Sequence, residues 1–398
     1  MNKNFNEKHF YIYKFLNDCL PIYAFYVILF REQGMSVTEI SLLISFWSLV
    51  ALFTEVPSGI IADRWNRKNM LFIAAILKAV CYVIWSFSNT FPLFALGFLF
   101  WGVSGSFTSG TEEGLVYDNL KNEKRENDFL KIYGKGRFYS SLGILMGVTT
   151  GGILANFISI SIISIISAGI TAINLFFILM LKEKNYYFEK VEKESVNYFR
   201  TLLEAITICS KNIKVLLGII LLVMIICITG YSDEFDPLII DDFGLGYIWV
   251  SIFFVVRFIF IALGERFAAI IEKILKSKHK VFILSGIASI FFIAFSILWN
   301  QYAIIIFGFF CMAMTIAKVI QINIIQNEID EEGRATVMSI YSLFQNLAMI
   351  VFCSIYALLS SNYSLRFSYI IISVYCIVGV IVLFAINFTR NKYSVIQF

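Results

Sequence analysis

Apolar runs of about twenty residues recur along the whole chain, and each is long enough, at about 1.5 Å of rise per residue, to cross a hydrocarbon core of roughly 30 Å as a helix. With 59% hydrophobic residues, 15% charged residues and a mean hydropathy of +0.78, the composition exceeds that of ordinary soluble domains. A bilayer is the expected solvent. Set against the polar breaks, the runs predict helices near 10–30, 37–61, 70–88, 91–117, 136–157, 160–181, 213–232, 247–271, 280–299, 302–325, 335–360 and 364–388. The start, MNKNFNEKHFYIYKF, has no short apolar stretch followed by a small-residue cleavage site, so the first span is expected to stay as an anchor.

The breaks alternate in charge. One set is basic and includes Lys3 and Lys8, Arg64 to Lys68, Lys121 to Lys131, Lys182 to Lys214, Lys273 to Lys280, and Arg390 with Lys392; the other offers only Arg31 and Arg366. Positive charge is retained on the cytoplasmic side during insertion, so both termini are expected inside a multi-pass protein of the cell membrane. The acidic stretch YSDEFDPLIIDDFG, Tyr231 to Gly244, falls on the opposite side and reads as a solvated mouth. The longest polar break divides the chain into a six-helix bundle at 1–181, a cytoplasmic linker at 182–212 and a second bundle at 213–398. An amphipathic stretch from Tyr198 to Ile208 in the linker could lie along the membrane surface. The halves echo each other weakly: Asp18-x-x-Pro21 in the first span corresponds to Asp236-Pro237 after the seventh, and LKNEKRENDF to IDEEGRATV. The expected fold class is therefore an all-α membrane protein of two pseudo-symmetric six-helix bundles, with a binding site between them near the midplane.

Between the second and third spans stands Gly59-x-x-x-Asp63-Arg64-x-Asn66-Arg67-Lys68. This loop resembles the signature loop of the major facilitator superfamily, whose pattern usually has a glycine where this chain has Asn66. The resemblance covers all twelve predicted spans and implies alternating access between the halves. Physically, Asp63 could accept hydrogen bonds from the unpaired amides that open another helix, such as RATVMS (Arg334 to Ser339) at the eleventh span. Arg67 could pair with Asp118. Gly59, Asp63, Arg64, Arg67, Lys68 and Asp118 would then form a cytoplasmic latch between the halves; alternatively, the cations only set topology. Gly134, Gly143, Gly147, Gly151 and Gly152 match the spacing of the fifth-span glycine motif of the family's antiporters, which implies export against incoming protons, although Val148 stands where that pattern has proline. Plain helix packing explains Gly143, Gly147 and Gly151 equally well, since they share one helical face. Trp101 occupies the fourth-span position at which many proton-linked relatives carry arginine.

A charge at mid-bilayer costs at least about 2.5 to 3.5 kcal/mol and needs a partner, a watery cavity or a function. Asp18, Glu55, Glu112, Glu113 and Arg137 are the candidates for coupling to protons or sodium. Arg137 is the expected cation for whichever of Glu112 and Glu113 turns inward, and Lys14 lies one turn from Asp18, where an i,i+4 pair would satisfy both. Lys14 and Lys78 have stems long enough to snorkel. Phe25, Tyr26, Trp47, Phe107, Phe253, Arg257, Lys318, Gln321 and Tyr341 are candidates for the cavity, where aromatic rings would suit a greasy or cationic molecule and Arg257 with Lys318 an anion.

The leading expectation is proton-coupled efflux of a small amphipathic, drug-like compound by a monomeric secondary transporter. An anionic metabolite is the second transport reading, and a non-transporting membrane sensor or assembly protein the reading from another class. An enzyme is disfavoured: His9 and His279 are far apart, and there is no nucleophile–base pair or phosphate loop. No metal or cofactor is expected. A net charge of +4, dispersed along the chain, does not suggest nucleic acid. The seven cysteines stand singly and read as buried free thiols.

Overall fold

The computed structural model describes residues 5–183, 213–229, 232–277, 279–327 and 331–394. Among them all regular structure is helical. The amphipathic stretch at 198–208, Cys209, and the side chains of Asp63, Arg64 and Arg334 to Ser339 lie outside the described residues. The helices are α1 (Glu7–Asp18), α2 (Tyr26–Glu32), α3 (Val37–Arg64), α4 (Arg67–Phe87), α5 (Phe91–Thr108), α6 (Thr111–Asn122), α7 (Phe129–Leu154) and α8 (Ile160–Met180). They continue as α9 (Ile213–Thr229), α10 (Asp236–Asp242), α11 (Tyr247–Ile274), α12 (Lys280–Leu298), α13 (Ile304–Asn327), α14 (Glu331–Asn362) and α15 (Leu365–Ser394). Helix α14 opens at least three residues before Arg334, so RATVMS is not its first turn.

Nine described segments are long and apolar enough to span a membrane. Three expected spans fall short for local reasons. The first, expected whole over 10–30, stops at Asp18 and resumes at Tyr26 around Pro21, which has no amide hydrogen to donate. Inside the gap the Ile22 amide is taken up by Ser167 Oγ at 3.1 Å. The fifth, α7, carries Lys131, Lys135 and Arg137 in its first turns, and the seventh divides into α9 and α10. The fourth span breaks as well: Gly110, at φ +71°, separates α5 from α6, and residues with a Cβ rarely adopt that conformation.

Helix starts follow their caps. Ser36 and Glu39 form a capping box at α3. Asn66, the residue that replaces the usual glycine, has extended backbone and caps α4 by accepting from Asn69 N at 3.0 Å. An N-cap needs no positive φ, so glycine is not required there. A second cap comes from Glu183, whose carboxylate accepts from the Arg67 and Lys68 amides at 2.7 and 3.0 Å. Burial pushes that carboxyl above its usual range, with the two amides opposing.

Two compact units emerge. One is Met1–Ser195 with Gly246–Ile252, the other Val196–Leu245 with Phe253–Phe398. In the first, Phe10, Tyr13, Leu71, Leu115, Leu120 and Ile178 form one core cluster, and Tyr26, Phe30, Trp85, Phe94, Phe98 and Trp101 form a second cluster of rings. The N-terminal end of α1 is tied down by Arg125, which meets Glu7 and Asp128 at 2.9 Å each; these bonds raise the guanidinium above its ordinary value. In the second unit Phe253, Phe292, Phe295, Phe307 and Phe310 pack ring on ring. The six described cysteines are free, with Cys81, Cys311, Cys353 and Cys376 buried and Cys19 and Cys227 partly so.

The glycine face of α7 meets the first span backbone to backbone. A Cβ on Gly143 would collide with the Phe15 carbonyl, one on Gly147 would lie 2.6 Å from Leu20 N, and one on Gly151 would strike the Pro21 carbonyl. Gly152 instead faces Ser251, whose Oγ donates to the Val148 carbonyl at 2.7 Å. Gly134 departs from the expected set: it is exposed with nothing near its missing Cβ, and Gly136 packs against Phe10. Gly143→Ala is therefore expected to lower the melting temperature in detergent. Gly134→Ala should leave it unchanged or raise it, because alanine is the better helix former by about 1 kcal/mol.

Candidate functional site in the first unit

A polar cavity of about 400 Å³ lies inside the first unit. Helix α1 contributes Lys14 and Asp18, a turn apart on one face; α4 contributes Lys78 and α5 Trp101. The break at Gly110 turns the chain so that Glu112 and Glu113 open α6, where carboxylates favour the unpaired amides of a first turn. Helix α7 closes the cavity with Tyr133, Arg137 and Ser140. Four of the five coupling candidates, Asp18, Glu112, Glu113 and Arg137, are thus brought together, although they are scattered from 18 to 137 in the chain. Glu55, on α3, is not among the lining residues.

The pairing differs from expectation. Lys14 does not bond Asp18; its Nζ lies 2.6 Å from Glu112 Oε2, and both side chains are buried. Tyr13 donates its hydroxyl to the other Glu112 oxygen. Arg137 is therefore not the cation on the inward glutamate. Glu113 is exposed and lines the cavity along with Tyr133. Asp18 accepts from Asn17 Nδ2 at 3.0 Å and from Ser140 Oγ. Nor do Lys14 and Lys78 snorkel: Lys78 Nζ donates at 2.8 Å to the Asn17 carbonyl, at the C-terminal end of α1 where a cation is favoured.

Of the nine expected cavity residues, none lines this cavity. Phe25, Tyr26 and Phe253 are buried in ring packing, Trp47 leans on Trp101 at 5.8 Å, and Phe107 is half-buried. Tyr341 is buried, Lys318 is half-buried, and Gln321 is buried against Gly218 of α9. Arg257 is no open cation. In the second unit its Nη1 bonds Asp236 and its Nη2 the Thr229 carbonyl, and the guanidinium lies 5.7 Å over the Phe307 ring. Asp236 is fully buried, as are Phe235, Leu238 and Ile239, whereas Asp241 and Asp242 are exposed, so the acidic stretch is solvated only in part.

At the signature loop, Arg67 Nη1 lies 2.9 Å from Asp118 Oδ2. Both residues belong to the first unit, so this pair cannot itself join two halves. The guanidinium fits against Gly114, where any Cβ would overlap it. Lys68 Nζ donates to the Leu179 carbonyl at 2.9 Å, and Gly59 is exposed with open space at its missing Cβ.

A sequence profile described as Major Facilitator Superfamily matches residues 15–353. The chain belongs to that superfamily. Solved structures agree on the fold of this major facilitator protein. A mutant form of the nucleoside transporter NupG superposes with a TM-score of 0.77 at 16% identity, covering 95% of this chain and 99% of that one. A D-xylose-proton symporter gives 0.69 at 11% identity, covering 95% of each. An uncharacterized MFS-type transporter, YfkF of Bacillus subtilis (strain 168), is 26% identical over 100 residues, a stretch that spans 24% of this chain and 23% of that protein. Membership makes the chain a multi-pass membrane transporter, not an enzyme.

Tyr13 and Ser140 complete the site but did not stand out in the sequence, and Lys78 was expected only to snorkel. Tyr13 has a legible signal, since it adjoins Lys14 on an amphipathic first helix. Ser140 has none, because a serine on a transmembrane helix most often bonds its own backbone.

Proposed function

We propose that this superfamily member is a proton-coupled secondary transporter of a small polar solute, exporting it from a cell-membrane location with both termini cytoplasmic. The observation that carries the reading is the gathering of Asp18, Glu112, Glu113 and Arg137 around one polar cavity. Three cationic and three carboxylate side chains line it, with hydroxyls from Ser104, Thr108 and Tyr133 among them. A greasy drug-like cargo finds only the Trp101 and Tyr133 rings among otherwise polar and charged lining side chains, and an anion meets as many carboxylates as cations. A neutral or zwitterionic solute rich in hydrogen-bonding groups fits better. The fold neighbours named for a nucleoside and for D-xylose handle such solutes, and the latter is named for a proton.

Coupling follows from the chemistry of the carboxylates. Asp18 and Glu112 each hold partners that alternating access would exchange for water, and a carboxyl that moves between dry and wet surroundings takes up a proton in one and releases it in the other. Export is the direction the α7 glycine spacing resembles. Packing of α7 on the first span accounts for Gly143, Gly147 and Gly151 by itself, so inside-out vesicles must test direction. In proteoliposomes under an imposed pH gradient, at least one of Glu112→Gln and Asp18→Asn is expected to lose gradient-driven flux while still binding cargo. If both keep normal pH-dependent transport, the assignment fails; if a sodium gradient alone drives flux, the same carboxylates carry sodium.

A further inference from the structure

Helices α1 and α7 run parallel, as their contacts show: Gly136 meets Phe10, Gly143 meets Phe15 and Gly147 meets Leu20 in rising order. Beside this seam lies a second cavity of about 460 Å³, lined by Lys8, Tyr11, Ile12, Phe15, Tyr139 and Leu142. Its residues are ordered along the helices. Lys8 sits at the start of α1, Tyr11 and Ile12 a turn further in, and Phe15 a turn beyond; on α7, Lys135 precedes Tyr139 and Leu142 by the same steps. Lys135 Nζ lies 5.0 Å over the Tyr11 ring, and the Tyr11 and Tyr139 rings stack at 5.3 Å, so the two helices bring both cations to one end.

From the lysines to Phe15 and Leu142 is about 10 Å along the axis. Over that depth the lining passes from ammonium groups through tyrosine hydroxyls to bare hydrocarbon, the sequence of environments met from a phospholipid phosphate through its glycerol to its acyl chain. The groove is open, since Lys8 is exposed and Ile12 is 38% exposed, and no carboxylate lines it. Glu7, which accepts from the Tyr11 hydroxyl at 3.3 Å, is already held by Arg125 at 2.9 Å. We propose that this groove is a binding site for an anionic phospholipid, with the phosphate between Lys8 and Lys135 and one acyl chain along Ile12, Phe15 and Leu142. The opposite face of α1 carries Lys14 and Asp18 into the polar cavity, so a lipid here would hold the helix that positions them.

The site is tested with the full chain in nanodiscs containing phosphatidylglycerol that bears a photoactivatable acyl chain, with phosphatidylcholine bearing the same chain as comparison. Phosphatidylglycerol is expected to label peptides containing Ile12, Phe15 or Leu142, and phosphatidylcholine to label them about tenfold less. Lys8→Gln with Lys135→Gln should reduce the phosphatidylglycerol labelling by about tenfold, while Lys273→Gln with Lys276→Gln leaves it unchanged. Labelling elsewhere in the native chain, equal labelling by the two lipids, or equal loss in both double variants would overturn the proposal. None of these readouts depends on transport, so failure here and failure of the transport reading are separate results.

Discussion

Lys14→Met is expected to destabilise the protein by about 3–5 kcal/mol, because it strands the Glu112 carboxylate in the buried space the two now share. Loss of the ammonium leaves Glu112, among the described residues, with the Tyr13 hydroxyl as its side-chain donor, too little to replace a full counter-charge. The double variant Lys14→Met with Glu112→Met removes both charges and is expected to recover most of the melting temperature. Transport should not return with it, since the proposed proton carrier is gone. Thermal denaturation in detergent, alongside flux, separates the two roles. If the double variant is no more stable than the single one, the ion pair does not govern the packing.

The helical course of this chain was legible because apolar runs and polar breaks differ so sharply in composition. Partners were not legible, because they depend on which faces meet. Lys14 illustrates the difference. Asp18 stands four residues on, yet a lysine preceding its acid is the weaker order for such a pair, worth a few tenths of a kcal/mol at most. Glu112 comes from a distant helix with Tyr13 already beside it, and the buried pair forms there instead. The α7 glycines show the same limit: their common face could be read from spacing, but the interrupted backbone at Phe15 to Pro21 that needs their missing side chains could not. The aromatic residues are taken up in packing for a physical reason. Rings gain from edge and offset contacts with other rings, so Tyr26 and Phe253 are buried in clusters before they serve a cavity. Resemblance of the Gly59 to Lys68 loop did anticipate a transporter of this superfamily, whereas the polar character of its cavity required Glu112, Lys78 and Ser140 to be placed together.

Arg257 makes the second large prediction. One guanidinium joins the last residue of α9 to the first of α10, with Nη2 on the Thr229 carbonyl and Nη1 on Asp236. A lysine has a single point of charge and no fork, so it can satisfy one of these acceptors but not both in the same geometry. Arg257→Lys is therefore expected to melt well below the native protein, and Arg257→Met lower still, by about 3–5 kcal/mol in all. Removing Asp236 as well should recover only part of that loss. Asp233 also feels the Arg257 charge, and its Oδ1 is buried without a hydrogen-bond partner, so it would become the stranded carboxylate in turn. Adding Asp233→Asn to Arg257→Met and Asp236→Leu is expected to complete the recovery, because the cluster then holds no unbalanced charge. A triple variant no more stable than Arg257→Met alone would show that the guanidinium acts by bracing the two helices rather than by neutralising their acids. Native stability in Arg257→Lys would show that neither the fork nor the brace matters.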